Sequence, residues 1–455
     1  MSKNDSIRYL NVGLPQDILR HKMYGNFQEA VRLIDLRLAD EKLPAPLRAC
    51  MEVQREMILR TPKNYPYNRQ QAIERMRSFV PDFAEEELDA LLDAGRINWI
   101  YIGGEMYFFD RFAETLLKTD AGMARRAGIA QAPKDERGRL DRAMAIMKEK
   151  GSMALRIRVR ASLRMHDDQF TPGMFVRAHL PLPADCEQQS DIVIEKVEPA
   201  AAHIAPEDAA QRTVCWEENM TENHDFAVEY SYTHRAVWHD VSKAESAPVQ
   251  PSFCTEEVEP HIVFTPYIRE LVRTLTEGVT DPLEKARRFY DFITCNMHYS
   301  YMPEYFTLES IAENCARNGI GDCGVFALLY ITLSPSAGNP AEWQSGMCAE
   351  PEGVGSHDWA RFYVAPYGWL YADPSFGVSA NRNGKEERRQ FYFTSLDPYR
   401  LVANSAFQAP FTIEKQQWRG DPYDNQTGEM ETADRGLRYS EYESQRDTLL
   451  CEEID

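Results

Sequence analysis

The chain reads Gly-Asp-Cys-Gly at residues 321–324, at the mouth of the apolar run Val325–Leu333. A structural cysteine normally sits inside an apolar segment, and this one precedes it. With Asp322 as N-cap, Cys323 falls in the first turn of a helix that Pro335 is expected to end. Unpaired backbone N–H groups in that turn stabilise a thiolate and can hold a developing oxyanion. The chemistry this suits is nucleophilic attack on an acyl carbon, which needs a base oriented by a third group. His357 opens the strand-like "HDWARFYV", and Asp373 closes "WLYADP" beyond the turn "APYG". Adjacent strands can set an imidazole between thiol and carboxylate.

Register limits that reading. A three-residue loop with a bulge at Gly368 would set Ala365 opposite Trp369 and Arg361 opposite Asp373. His357 and Asp373 then share a face but lie four positions out of step, roughly 13 Å at ~3.3 Å per residue. The pair therefore needs a bulge, or a His357 that bends in from the start of its strand.

The order Cys in "GDCGVFA", His in "SHDWARFYV" and Asp in "GWLYADPSFG" resembles the transglutaminase-like core. This superfamily of papain-related cysteine enzymes includes transglutaminases, peptide N-glycanases and bacterial peptidases. The resemblance extends over about Leu283 to Gly377 and includes Trp359, two after His357, and Trp369, four before Asp373. It implies Cys323 as nucleophile, His357 as base and acid, and Asp373 as orienter, joined in acyl transfer through a thioester without cofactor or metal. Family oxyanion groups often lie upstream of the cysteine, where Tyr299, Tyr301 and Tyr305 are candidates, although such aromatics also serve packing.

Other residues carry weaker signals. His234 and His239, five apart in "HRAVWHD", fit no common zinc site and read as exposed histidines. Cys295 and Cys315 read as core. Cys348 has the option of lining a cleft, and Asp358 should point away from the face of His357. Asp421–Glu429 has oxygen ligands at calcium-like spacing but lacks the glycine and glutamate of an EF-hand loop, so it reads as a turn.

The elements that must carry these groups follow from periodicity. Residues 16–119 read as helices, one starting at Asp82 and ending at Gly95, followed by a hairpin at Gly103-Gly104, a winged-helix-like arrangement without a basic face. "RRAGIAQAPKDERGR" reads as a linker. From Ser152 the period is two: Leu155, Ile157 and Val159 alternate with Arg156, Arg158 and Arg160, whose stripe reads as a solvated face. Asp281 and Pro282 then open a helix. The expectation is a multidomain α+β protein with a helical N-terminal region (1–125), a linker or helix (126–150), a β-sandwich (151–258), a papain-like transglutaminase core (259–410) and a peripheral polar extension (411–455).

At 455 residues and 43% hydrophobic content the chain can bury several cores. A net charge of −20 argues against nucleic acid and anionic membranes as partners. No apolar stretch approaches the roughly 20 residues of a spanning helix, and no secretory core follows the N-terminal basic residues. Nine cysteines with scattered spacings do not suggest a disulfide framework. The expected compartment is the cytoplasm and the expected partner a peptide or amide substrate, with oligomeric state left open. Hydrolysis is favoured over transamidation or deamidation because water is the default acceptor; a binding or scaffold protein retaining the core is the non-catalytic alternative. An arylamine-acetyltransferase-like reaction shares the Cys-His-Asp order, but that family's N-terminal architecture does not suit a triad starting at residue 323.

Overall fold

The computed structural model describes residues 3–129, 134–242 and 245–454. The protein is a mixed α+β structure with an N-terminal helical region and several antiparallel sheets. Its two compact units do not run in sequence order: residues 258–263 and 296–325 belong with the N-terminal 133, and the remainder forms the second unit.

In the first unit, helices Phe27–Leu38 and Ala45–Asn64 bury Ala30, Ile34, Met51 and Ile58 against Ile18. A second core gathers Ile73, Met76, Phe83, Leu88, Phe108, Phe112 and Leu116. The hairpin pairs Trp99–Ile102 with Glu105–Phe108. Its tip needs glycine, since Gly103 and Gly104 have φ of 60° and 87°. The helix expected from Asp82 begins at Glu85 instead, with Ala84 as N-cap. Buried Phe83 closes a tight turn onto Val80, and Glu87 reaches back to the Ala84 N–H in place of an Asp cap. Further along, His298–Tyr299 pairs in parallel with Ile320–Gly321, fixing the chain that leads into Cys323.

The second unit holds two four-stranded antiparallel sheets and one of five strands. In Ser152–Met165 the alternation holds: Leu155, Ile157 and Val159 are buried, while Arg158 and Arg160 form outward pairs with Glu229 at 2.9 and 3.0 Å. Trp216 meets Phe226 with ring centroids 5.5 Å apart, so side chains of the two four-stranded sheets interlock. The segment expected to be a peripheral polar tail is structural. Glu429–Thr432 pairs with Met174–Pro181, and Tyr442–Ile454 pairs with Ser152–Met165 along nearly its full length. Each is an edge strand; Tyr442–Ile454 keeps one wet face, whereas Glu429 and Glu431 are buried and paired with Lys415, Arg419 and Arg177. Of the expected linker, residues 130–133 lie outside the described residues, and Lys134–Lys150 is a helix.

The five-stranded sheet carries the histidine strand, Gly353–Val364, between Ala341–Glu350 and Gly368–Ala372, with Phe393–Thr394 and Arg400–Asn404 at its edges. Helix Pro282–Asn296 opens as expected, the Glu284 N–H donating to Asp281 Oδ2 at 3.1 Å. The cysteine helix runs Cys323–Ser336, so Pro335 sits in its last turn rather than beyond it.

Candidate active site

Cys323 is the first residue of its helix. Asp322 is the N-cap: its Oδ1 accepts the Val325 N–H at 3.2 Å and the Tyr305 hydroxyl. Burial pushes the Asp322 carboxyl up to about 6 despite those donors. The rest of the helix is apolar on all sides, with Val325, Phe326, Leu328, Leu329 and Tyr330 buried, which gives the thiol a rigid mount. Of the three upstream tyrosines, Tyr305 is engaged by Asp322. Tyr299 is held beside the cysteine segment by its pairing with Gly321, and burial followed by the nearby Cys323 and Asp322 pushes its phenol up.

His357 and Asp373 come together. His357 Nε2 lies 2.7 Å from Asp373 Oδ2, and both side chains are buried. The register that permits this differs from the expected one: Val364 pairs with Gly368 and Ala360 with Ala372. The loop between the strands is a plain three-residue connection, which moves Asp373 two positions toward His357. No bulge is needed in this pair of strands. Asp373 also leaves the strand to cap helix Pro374–Arg382, its Oδ1 accepting the Phe376 N–H at 2.9 Å. One carboxylate therefore ends a strand, starts a helix and orients an imidazole. Since Asp373 takes Nε2, Nδ1 is the ring nitrogen left for another partner.

A third group completes the charge balance. Arg400, fully buried on Arg400–Asn404, lies 2.9 Å from Asp373 Oδ2 and 2.6 Å from Asp397 Oδ2. Its guanidinium stands over Phe376, 4.6 Å from the ring centroid, and Tyr392 donates to Asp397 at 3.0 Å. Burial raises the Asp373 pKa, but the charges of His357 and Arg400 outweigh it and hold the carboxyl below its ordinary value. Trp359, of the His-x-Trp pattern, is buried and donates to Gln344 Oε1 at 2.6 Å, fixing its strand to the neighbouring one.

The remaining candidates resolve into support. Asp358 faces away from His357 and accepts from Gln426, which also donates to the His357 carbonyl at 3.1 Å. Cys315 is buried, whereas Cys295, expected in the core, is exposed at the end of its helix. Cys348 is half-buried, and burial pushes its thiol up. His234 is buried rather than exposed, and that burial lowers it to about 3. In Asp421–Glu429, Glu429 bonds Lys415 and Arg419 at 2.9 Å each, while burial pushes Asp421 and Asp424 up, aided by the charge of Asp424 on Asp421 and of Glu429 on Asp424. No cluster of three or more potential metal ligands occurs among the described residues.

A protein-family comparison matches residues 269–374 to the transglutaminase-like superfamily. This segment is a transglutaminase-like domain. Its span contains Cys323, His357 and Asp373. No protein of curated function matches the chain. Among solved structures, an inferred cysteine protease from Cytophaga hutchinsonii is 14% identical, covering 67% of this chain and 91% of that one, with a TM-score of 0.44. The periplasmic domain of TgpA from Pseudomonas aeruginosa is 13% identical, covering 55% of this chain and 96% of that one, with a TM-score of 0.29. Among the described residues, no helix of the transglutaminase-like domain or elsewhere is long and apolar enough to cross a membrane.

Proposed function

We propose that the protein is a cysteine-dependent acyl-transfer enzyme that hydrolyses an amide bond. The observation that carries this reading is the buried His357–Asp373 pair at 2.7 Å inside a transglutaminase-like domain that also contains a helix-opening cysteine. In the reaction, His357 takes the Cys323 proton and the thiolate adds to the amide carbon. The imidazolium then protonates the departing amine, leaving a thioester on Cys323. Water attacks the thioester, giving its proton through His357 to the departing thiol, and the carboxylic acid is released. Asp373 holds the imidazole tautomer and balances its charge while protonated. The reaction closes on these side chains and water, with no cofactor.

The substrate class is a peptide or other amide. Nine cysteines, none in a disulfide, support a reducing, cytoplasmic setting. Transamidation and deamidation share the thioester and differ in the acceptor or in the amide attacked. Purified protein incubated with peptide amides and a labelled primary amine separates these outcomes. Peptide fragments or released ammonia without amine incorporation support hydrolysis. Faster amine incorporation than hydrolysis overturns it, and no turnover alongside an unreactive Cys323 leaves the scaffold reading.

A further inference from the structure

Two exposed cations, Arg111 and Lys118, sit on the tyrosine segment that pairs beside Cys323, in a strongly acidic protein. Tyr299 is anchored by its pairing with Gly321, two residues before the cysteine, and packs edge-on against Tyr301 with ring centroids 5.6 Å apart. Helix Phe112–Thr119 sets Lys118 Nζ 4.1 Å from the Tyr299 ring centroid. The guanidinium of Arg111, at the same helix's N-cap, lies 3.5 Å from the Tyr301 centroid. The Tyr301 N–H donates to Thr115 Oγ1 at 3.1 Å, which locks this helix to the tyrosine segment. Lys118 and Arg111 are both exposed, and among the described residues neither forms an ion pair.

Of the nearby acids, two are bonded elsewhere and two, Asp110 and Asp322, feel Arg111 and Lys118 through space without a direct ion pair. Glu114 pairs with Arg75, and Asp120 accepts the N–H groups of Gly122 and Met123. Burial pushes Asp110 up, toward its neutral form. Asp322, beside the thiol, is held by Tyr305 and the Val325 N–H, and the Lys118 charge reaches it as well. A ring face fixes where a cation sits without neutralising it, so both cations keep their charge and donors for a ligand. With −20 overall, the protein repels anions at long range, and local cations are what allow an anionic group near the thiol.

We infer that Lys118 and Arg111 select the substrate: the amide hydrolysed at Cys323 carries a carboxylate close to its acyl carbon. This rests on the reading of Cys323 as acyl acceptor, and the test separates the two. Alkylation of Cys323 by iodoacetate and by iodoacetamide is timed by peptide mass spectrometry, with exposed Cys295 of the same chain as reference. Relative to Cys295, Cys323 should favour iodoacetate. Lys118→Glu with Arg111→Glu should lower that preference about tenfold, and near-molar salt should abolish it in the unaltered protein. An unchanged preference in both overturns the inference. Should the double reversal not fold, Lys118→Gln with Arg111→Gln and the salt series decide alone. N-iodoacetylglycine against the α-amide of N-iodoacetylglutamate then tells a terminal carboxylate from a side-chain one. If Cys323 reacts slowly with every reagent and His357→Ala changes nothing, the acyl-acceptor reading fails, whatever the charge preference shows.

Discussion

Arg400 and His357 share one oxygen: Asp373 Oδ2 lies 2.9 Å from the guanidinium and 2.7 Å from the imidazole. Removing Arg400 leaves Asp373 and Asp397 as buried carboxylates with one cation fewer between them. Arg400→Met is expected to lower stability by about 3–5 kcal/mol, read by urea unfolding. Adding Asp397→Asn should recover part of that loss, because the uncompensated charge goes with it. Arg400→Lys should restore less than half, since the shorter ammonium lacks the Nε donor that also reaches Asp397 at 3.1 Å and the planar face set over Phe376. Equal stability of Arg400→Met and the unaltered protein would sink this account.

Asp373 has two separable duties. Asp373→Asn keeps an acceptor for the Phe376 N–H but removes the charge facing His357. Asp373→Ala removes both. Thermal unfolding should place the alanine variant about 1 kcal/mol below the asparagine one, the usual worth of an N-cap. Amide turnover should fall in both by up to about 10^4-fold, the scale seen when a triad carboxylate becomes an amide. If asparagine supports near-normal turnover, Asp373 is a cap and nothing more.

Legibility of this site in the sequence followed distance along the chain. Cys323, His357 and Asp373 announced themselves through local signals: a capped helix mouth, an alternating strand and a strand end. The expected His357–Asp373 register lies two residues off because the three-residue loop sits one position earlier, at residues 365–367, and the composition of "APYG" does not mark which of its residues pair. Arg400 gave no warning at all. It lies 27 positions beyond Asp373, and an arginine in "DPYRLV" looks like an ordinary strand-end charge. The closing segment was read as peripheral because an edge strand with one wet face is as polar as a loop.

Asp322 should give stability a pH slope. Its folded value of about 6 lies above the ordinary 3.8, so the unfolded chain ionises first as pH rises. The stabilising contribution is complete below pH ~4, declines as pH rises through ~6 and stays lost above that, an effect on the order of 2–3 kcal/mol. Asp322→Asn keeps an acceptor for Tyr305 and Val325 and should flatten the slope. Urea midpoints measured between pH 4 and 7.5 on both proteins check this. Parallel curves would show that Asp322 does not titrate in this window.

The strand Tyr442–Ile454 should be indispensable. A chain ending at residue 440 leaves Ser152–Met165 with a bare edge where twelve residue pairs had formed. It should lose its cooperative unfolding transition and aggregate. Circular dichroism and size-exclusion profiles like those of the longer chain would overturn the prediction.

That same pairing bears on the order in which the fold is completed. The strand that closes the sheet meets a partner almost three hundred residues upstream, a contact of very large sequence separation. Until residues 442–454 are made, Ser152–Met165 lacks one of its two neighbours, although Cys323, His357 and Asp373 are already in the chain. Closure of this sheet should therefore be a late step of folding, and the helices and the five-stranded sheet can form before it.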